Sequence, residues 1–289
     1  MRLIARAKIN WSLDITGVRE DGYHLMDMRM QPVELGDILT LSPADEMTLT
    51  TGGRPLLKAD DRHLAMRAAR LLKERTGYAG AAAIHVEKRT PVGAGMGGGS
   101  ADAAATLYGL NRMWGTGLEL PELEALGLEL GADVPFCLRG GLTRTRGIGE
   151  EMENLPCART FPLIVIQPCR GLSTREVFAA FHEDPQILHP DTDTAVRGLA
   201  EGDLGLLRRS LRNVLQPVSV LKRPQIGKCI DRLKEAGAEI ALMTGSGSAV
   251  FGVFRTPAKA RAAFTGLAIR YPAAFMTATA ENSIVILEE

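Results

Sequence analysis

Apolar and polar positions alternate from the start of the chain. Ile9, Trp11, Leu13 and Ile15 stand against Lys8, Asn10, Ser12 and Asp14, a period of two that predicts a strand over Arg2 to Ile15. Gly17 to Gly22 reads as a turn and Leu25 to Val33 as a second strand. Gly36-Asp37 reads as punctuation before short strands at Ile38 to Leu41 and Met47 to Thr50. The period then changes. Leu64, Ala68, Leu71 and Leu72 recur at helical spacing inside Asp60 to Thr76, and Gly77 stops the run. Ala81 to Lys88 alternates again, with Ile84 and Val86 against His85 and Glu87, and delivers the chain to a glycine run. A helix from Ser100 through Ala101 to Trp114 follows. Another spans Pro121 to Leu130, closed by Gly131. Gly140-Gly141 and Gly147 to Gly149 mark a turn-rich passage.

Leu155-Pro156 to Phe161-Pro162 reads as a boundary, dividing the chain into 1–156 and 157–289. Beyond it the pattern predicts a strand at Leu163 to Gln167, a helix over Thr174 to Phe181 and a loop over His182 to Asp193. Helices follow near Thr194 to Leu204, Leu206 to Leu215 and Pro224 to Ala236. Strands at Ile240 to Leu242 and Ala249 to Phe254 flank Thr244-Gly245-Ser246-Gly247-Ser248. A helix at Pro257 to Arg270 and a strand at Ser283 to Leu287 complete the pattern. Both halves mix strands and helices without strict alternation, which predicts α+β rather than a doubly wound sheet.

Composition narrows the class. The 289 residues are 45% hydrophobic and 24% charged with zero formal net charge, so a packed core is expected and nothing calls for nucleic acid or an acidic membrane surface. Cys137, Cys157, Cys169 and Cys229 form no CxxC, and the five histidines form no HxxxH pair. Free thiols in a reducing, cytosolic compartment are expected, with no transition-metal site. No apolar run is long enough to cross a bilayer, and the first residues lack a signal-peptide core.

The chemistry concentrates in Pro91-Val92-Gly93-Ala94-Gly95-Met96-Gly97-Gly98-Gly99-Ser100-Ala101-Asp102. Clustered glycines turn main-chain N–H groups inward to hold an anion, and a helix starting there adds its positive end. The run is not a Walker A loop, because no lysine precedes Ser100. Gly93, Gly95 and Gly98 formally match a dinucleotide fingerprint, but no second strand ending in an acidic residue follows at the required distance. Pro91 to Ala101 does fit, in full, a motif that resembles the phosphate loop of the GHMP kinases (galactokinase, homoserine, mevalonate and phosphomevalonate kinases). Ala5 to Asn10 resembles the first motif of that family, and Met243 to Gly252 its third, a glycine hairpin. Arg19-x-Asp21-Gly22-Tyr23-His24, Gly97 to Ala105 and Leu130 to Phe136 are similar to the branch that phosphorylates the 2-hydroxyl of a cytidine-diphosphate-linked methylerythritol in non-mevalonate isoprenoid synthesis.

The resemblance implies two α+β units. The first is like the second domain of ribosomal protein S5, and the second is a ferredoxin-like layer. ATP and Mg2+ are the implied cofactors, and the partner is a small cytidine-diphosphate-linked molecule. It implies Asp133 as catalytic base and Lys8 beside it, a cation that keeps the carboxylate ionised or offsets charge on the transferring phosphoryl. Taken alone, a strand lysine is a solvated charge, and an Asp after a C-capping Gly makes an Asx turn. Asn10 shares the strand face of Lys8 and is a candidate substrate contact, as are Thr174, Gly245, Ser246 and Gly247. By the resemblance, His24 hydrogen-bonds the cytosine while Tyr23 and Phe178 stack on it. Ser100 is a candidate magnesium ligand and equally a helix N-cap. His63 stands where relatives carry an adenine-contacting asparagine. Two alternatives stay open at this level: a mevalonate- or homoserine-type kinase of the same family, and a non-catalytic nucleotide-binding regulator of the same fold.

Overall fold

The computed structural model describes residues 1–20, 22–53, 57–182, 184 and 186–289. Asp21 of the predicted cytidine signature, and Glu183 and Pro185 of the predicted loop, lie outside the described residues. The first half carries β1 (Arg2–Val18), β2 (His24–Ala44), β3 (Thr48–Gly53), α1 (Leu64–Thr76), β4 (Ala81–Lys88), α2 (Gly98–Trp114), α3 (Leu120–Leu130), α4 (Val134–Arg139), β5 (Thr143–Gly147) and β6 (Glu151–Asn154). The second carries β7 (Pro162–Ile166), α5 (Thr174–Ala179), α6 (Thr192–Glu201), α7 (Leu204–Ser210), α8 (Gln216–Lys222), α9 (Pro224–Glu235), β8 (Ile240–Met243), β9 (Val250–Val253), α10 (Pro257–Arg270), β10 (Ala274–Ala278) and β11 (Ile284–Glu288).

Two sheets result. The larger runs β11-β1-β2-β4-β3, with β5 paired to the outer stretch of β2 and β6 to β5. The smaller runs β10-β7-β9-β8, antiparallel throughout. Numbered within their own half, its strands lie in the order 4-1-3-2, the split-βαβ arrangement of a ferredoxin-like layer. The final strand leaves the second half and pairs with β1, Leu3 opposite Ile286 and Ile4 opposite Val285.

Several elements differ from the pattern-based expectation. β1 continues to Val18, because Gly17 and Val18 still pair with Leu25 and His24; the turn falls later. Gly36-Asp37 does not break β2. Ladder pairing continues through it, and the Asp37 carboxylate is buried, accepting main-chain N–H bonds from Arg89 and Thr90. The helix predicted from Asp60 starts at Leu64, capped by His63. The turn-rich passage after Gly140 is a hairpin of β5 and β6. Gly202 in the left-handed region and the Asp203 cap shift the boundary between α6 and α7.

Two cores position the site. One fills the space between the large sheet and α1 to α4, with Leu39, Leu41, Ile84, Leu107 and Phe136 in it, and continues into the second half through Ile164, Ile166 and Val250. The other joins the halves: Ala7, Ile9 and Trp11 of β1 pack with Phe161, Leu163, Val165 and Phe251. The odd residues Ala7, Ile9 and Trp11 therefore belong to the junction. The even ones, Lys8 and Asn10, face a cavity.

Candidate active site

The glycine run descends from β4 and climbs into α2. Gly95 and Gly97 take φ of 79° and 69°, left-handed values at which a side chain is strained. At Gly95 space forbids one as well, and at Gly97 it is tight. A Cβ on Gly95 would stand 2.4 Å from the Thr244 carbonyl oxygen, and one on Gly97 3.2 Å from the Lys8 side chain and 3.5 Å from Asp133 Oδ2. The loop thus touches both the catalytic candidates and the hairpin of the second half. Its backbone is tied to both halves: Lys8 N donates to the Met96 carbonyl at 2.9 Å, and Ala249 N to the Ala94 carbonyl at 3.0 Å. α2 opens at Gly98 with Gly97 as N-cap. Ser100 is therefore not the cap. It lies in the first turn, where helical N–H groups have no partner inside the helix.

A cavity of ≈ 510 Å³ lies over this loop, within the range of small-molecule sites. Lys8, Asn10, His63, residues 91–100, Asp133, Thr174, Phe178 and 245–247 line it. Ala101 is buried in α2 beneath it. Tyr23, on the turn between β1 and β2, is 63% exposed.

Lys8 is buried, with Nζ 2.8 Å from Asn10 Oδ1 and 3.4 Å from Asp133 Oδ2. Asp133 precedes α4, and its side chain makes no capping bond to that helix. The Asx turn expected of an isolated aspartate is replaced by a carboxylate directed at Lys8. Thr174 Oγ1 lies 3.0 Å from Ser246 Oγ, which ties the start of α5 to the glycine hairpin. His24 packs against Phe178 with ring centroids 5.3 Å apart, and against Phe181 at 6.4 Å. Phe181 went unread in the sequence, where it marked only the end of a helix. His63 Nδ1 accepts a bond from Ala65 N at 3.3 Å, which leaves Nε2 to carry the proton of the neutral ring. Burial and then the charge of Lys88 hold its pKa below the ordinary histidine value.

A further cluster escaped sequence reasoning. Lys88 Nζ donates to Asp37 Oδ2 and to Asp102 Oδ2, the latter at 2.7 Å. Thr90 Oγ1 adds a bond to Asp37 Oδ2 at 2.7 Å. Burial opposes the charge on Lys88, yet the two carboxylates outweigh it and its pKa is raised. Burial pushes Asp102 up to about 8. The available signal was a lysine on the apolar face of β4, in step with Ile84 and Val86. Among the described residues, no group of three or more His, Cys, Asp or Glu could hold a metal ion, and all four cysteines are free thiols.

Comparison with known proteins gives the family. The GHMP kinases N terminal domain matches residues 63–141, and the GHMP kinases C terminal matches 195–273. The chain is 37% identical over 272 residues to the 4-diphosphocytidyl-2-C-methyl-D-erythritol kinase of Alkaliphilus metalliredigens, covering 94% of each chain. It is 38% identical over 290 residues to the protein of that name from Caldicellulosiruptor saccharolyticus, covering 100% of each. A crystal structure of 4-(cytidine 5'-diphospho)-2C-methyl-D-erythritol kinase superposes with a TM-score of 0.84 at 32% identity, over 98% of this chain and 100% of that one. A homoserine kinase from Cytophaga hutchinsonii shares the fold at a TM-score of 0.77 and 20% identity.

Proposed function

Because the chain belongs to the GHMP kinase family, and within it to the 4-diphosphocytidyl-2-C-methyl-D-erythritol kinases, we propose that it transfers the γ-phosphoryl group of ATP to the 2-hydroxyl of 4-diphosphocytidyl-2-C-methyl-D-erythritol. The products are the 2-phosphate and ADP, in the non-mevalonate route to isoprenoids. The observation that carries the reading is the Lys8–Asp133 pair, 3.4 Å apart and against Gly97 of the phosphate loop.

In this mechanism the main-chain N–H groups of residues 93–100 and the N-terminal end of α2 hold the triphosphate. Asp133 accepts the proton of the 2-hydroxyl as its oxygen bonds to the γ-phosphorus and the bond to the ADP oxygen breaks. Lys8 offsets negative charge building on the transferring group. The Asn10 Nδ2 donor is directed at Met28 Sδ at 3.4 Å, a weak acceptor, and is available to a substrate oxygen. Phe178 and His24 take the cytosine end, Thr174 and 245–247 the diphosphate, and His63 the adenine. Ser100, in the first turn of α2 and on the cavity wall, is the residue whose hydroxyl would hold a magnesium ion, which commonly takes few protein oxygens and would supply charge neutralisation. No helix among the described residues is long and apolar enough to cross a membrane.

ADP release from the pure protein with ATP, magnesium and the cytidyl substrate tests the reading. Turnover with mevalonate or homoserine in place of the cytidyl compound reassigns the substrate. No turnover at all, with ATP still bound, points to a regulator. Asp133→Asn should cost about 10²–10⁴-fold in kcat while ATP binding persists, and near-normal turnover by that variant removes Asp133 as the base.

A further inference from the structure

One line of buried polar groups crosses from the second half of the molecule to the proposed base. Thr244 is fully buried and lies between β8 and the hairpin at 245–247. Its hydroxyl accepts a hydrogen bond from Asn10 N at 2.9 Å and donates to Asn10 Oδ1 at 3.2 Å. The same Oδ1 accepts from Lys8 Nζ at 2.8 Å, and that ammonium stands 3.4 Å from Asp133 Oδ2. The pairing of β1 with β2 shifts register between Asn10 and Ser12, at the point where Thr244 satisfies the Asn10 N–H.

We propose that Thr244 is a positioning residue for phosphoryl transfer. It fixes the amide of Asn10, and through it holds the Lys8 ammonium between Asn10 and Asp133. A lysine side chain is a flexible four-carbon stem with many rotamers, and a single carboxylate partner does not fix it. With Asn10 Oδ1 as a second acceptor, the ammonium is shared and held short of a tight ion pair with the base. Thr244 also pins the hairpin to Asn10, so the hairpin and the charge beside the base move as one unit. This rests on the reading of Lys8 and Asp133 as the groups at the reacting centre.

The test is the single-turnover rate of phosphoryl transfer in Thr244→Val, Thr244→Ala and Thr244→Ser, with KM for both substrates and thermal stability measured alongside. Misplacement of about 1 Å at a reacting centre can cost 10²-fold. Thr244→Val and Thr244→Ala are therefore expected to lose about 10- to 100-fold in rate, with each KM within about two-fold of wild type, and Thr244→Ser to recover most of the rate. A purely structural role gives a lower melting temperature with a wild-type rate, and that result overturns the proposal. So does failure of both Val and Ala variants to fold while Ser folds and turns over normally. Asp133→Asn runs in parallel. An active Asp133→Asn defeats the reading of the base itself, whereas an inactive Asp133→Asn beside an active Thr244→Val defeats only the role of Thr244.

Discussion

Phe178 occupies a position where one side chain has two duties. It lines the cavity and it holds His24, 5.3 Å away on the opposite strand–turn element. Stacking of a base on an aromatic ring is worth about 1–3 kcal/mol, so Phe178→Ala should raise KM for the cytidyl substrate by about 5- to 150-fold and leave KM for ATP unmoved. Steady-state kinetics with each substrate varied in turn checks this; an equal rise in both constants shows that Phe178 supports the cavity as a whole. The same scale shows which residues were legible in advance. Lys8, Asp133 and Phe178 sit in short segments that resemble those of a known family, which is what marked them, and the structure brings all three to one cavity. Thr244 lies inside the marked segment Met243 to Gly252, but its tie to Asn10 was not legible there, and Phe181 carried no signal at all, because a threonine before a glycine hairpin and a phenylalanine after a helix acquire meaning only from contacts far along the chain. Ser100 looked like an N-cap from residue type alone. The helix starts two residues earlier because Gly97, able to take a positive φ, caps it instead.

At the scale of elements, the phosphate loop depends on the junction of β2, β4 and α2. Lys88 closes β4, Asp37 lies within β2 and Asp102 in the second turn of α2, so one ammonium clamps the entry and exit of the loop. Removing one partner of a buried ionic cluster strands the other charges, at about 3–5 kcal/mol. Lys88→Met should therefore lower the melting temperature sharply, as calorimetry or circular dichroism will record. Asp102→Asn should behave differently. Burial raises the Asp102 pKa to about 8, so the folded protein binds this proton more tightly than the unfolded chain does. The stability it contributes is complete below the ordinary carboxylate range and is lost as pH rises towards 8. Asp102→Asn should flatten that decline, and an unchanged pH–stability curve excludes Asp102 as its source. Helix α1 and strand β4 were readable because their periods are clean. The hairpin of β5 and β6, the short helices α4 and α8, and β10 were not. β5 and β6 read Thr-Arg-Thr-Arg-Gly and Glu-Met-Glu-Asn, without the apolar run that marked the equally short β7, β8 and β9, and α4 and α8 each carry a proline in the first turn; tertiary context rather than propensity holds them.

For the whole molecule, the change in punctuation near residue 156 suggests a division, but the coupling across that stretch was not legible. Trp11 shows why. It belongs to β1, inside the first sheet, yet its ring packs edge-on against Phe161 and Phe251 of the second half, with centroids 5.1 and 5.8 Å away. Its Nε1 donates to Gln31 Oε1 at 2.8 Å, so the indole is fully satisfied in place. β11 adds a second tie by returning to pair with β1. If the second half opened alone, it would expose Ala7, Ile9 and Trp11 together and leave that face of β1 in water, a cost the second core cannot recover by itself. The two halves should therefore unfold in one transition. Trp114, stacked on Tyr78 in the first half with centroids 4.6 Å apart, is the only other tryptophan, so Trp114→Phe leaves Trp11 as the sole indole reporter of the junction. Its fluorescence in increasing urea should trace the same midpoint as far-UV circular dichroism, and Trp11→Ala should move the whole dichroism curve by about 3–5 kcal/mol, the usual cost of truncating a buried aromatic residue. A Trp11 signal that changes before the secondary structure melts would mean that the halves part first, and that the phosphate loop can lose its cover from the hairpin while β1 to β4 stay folded.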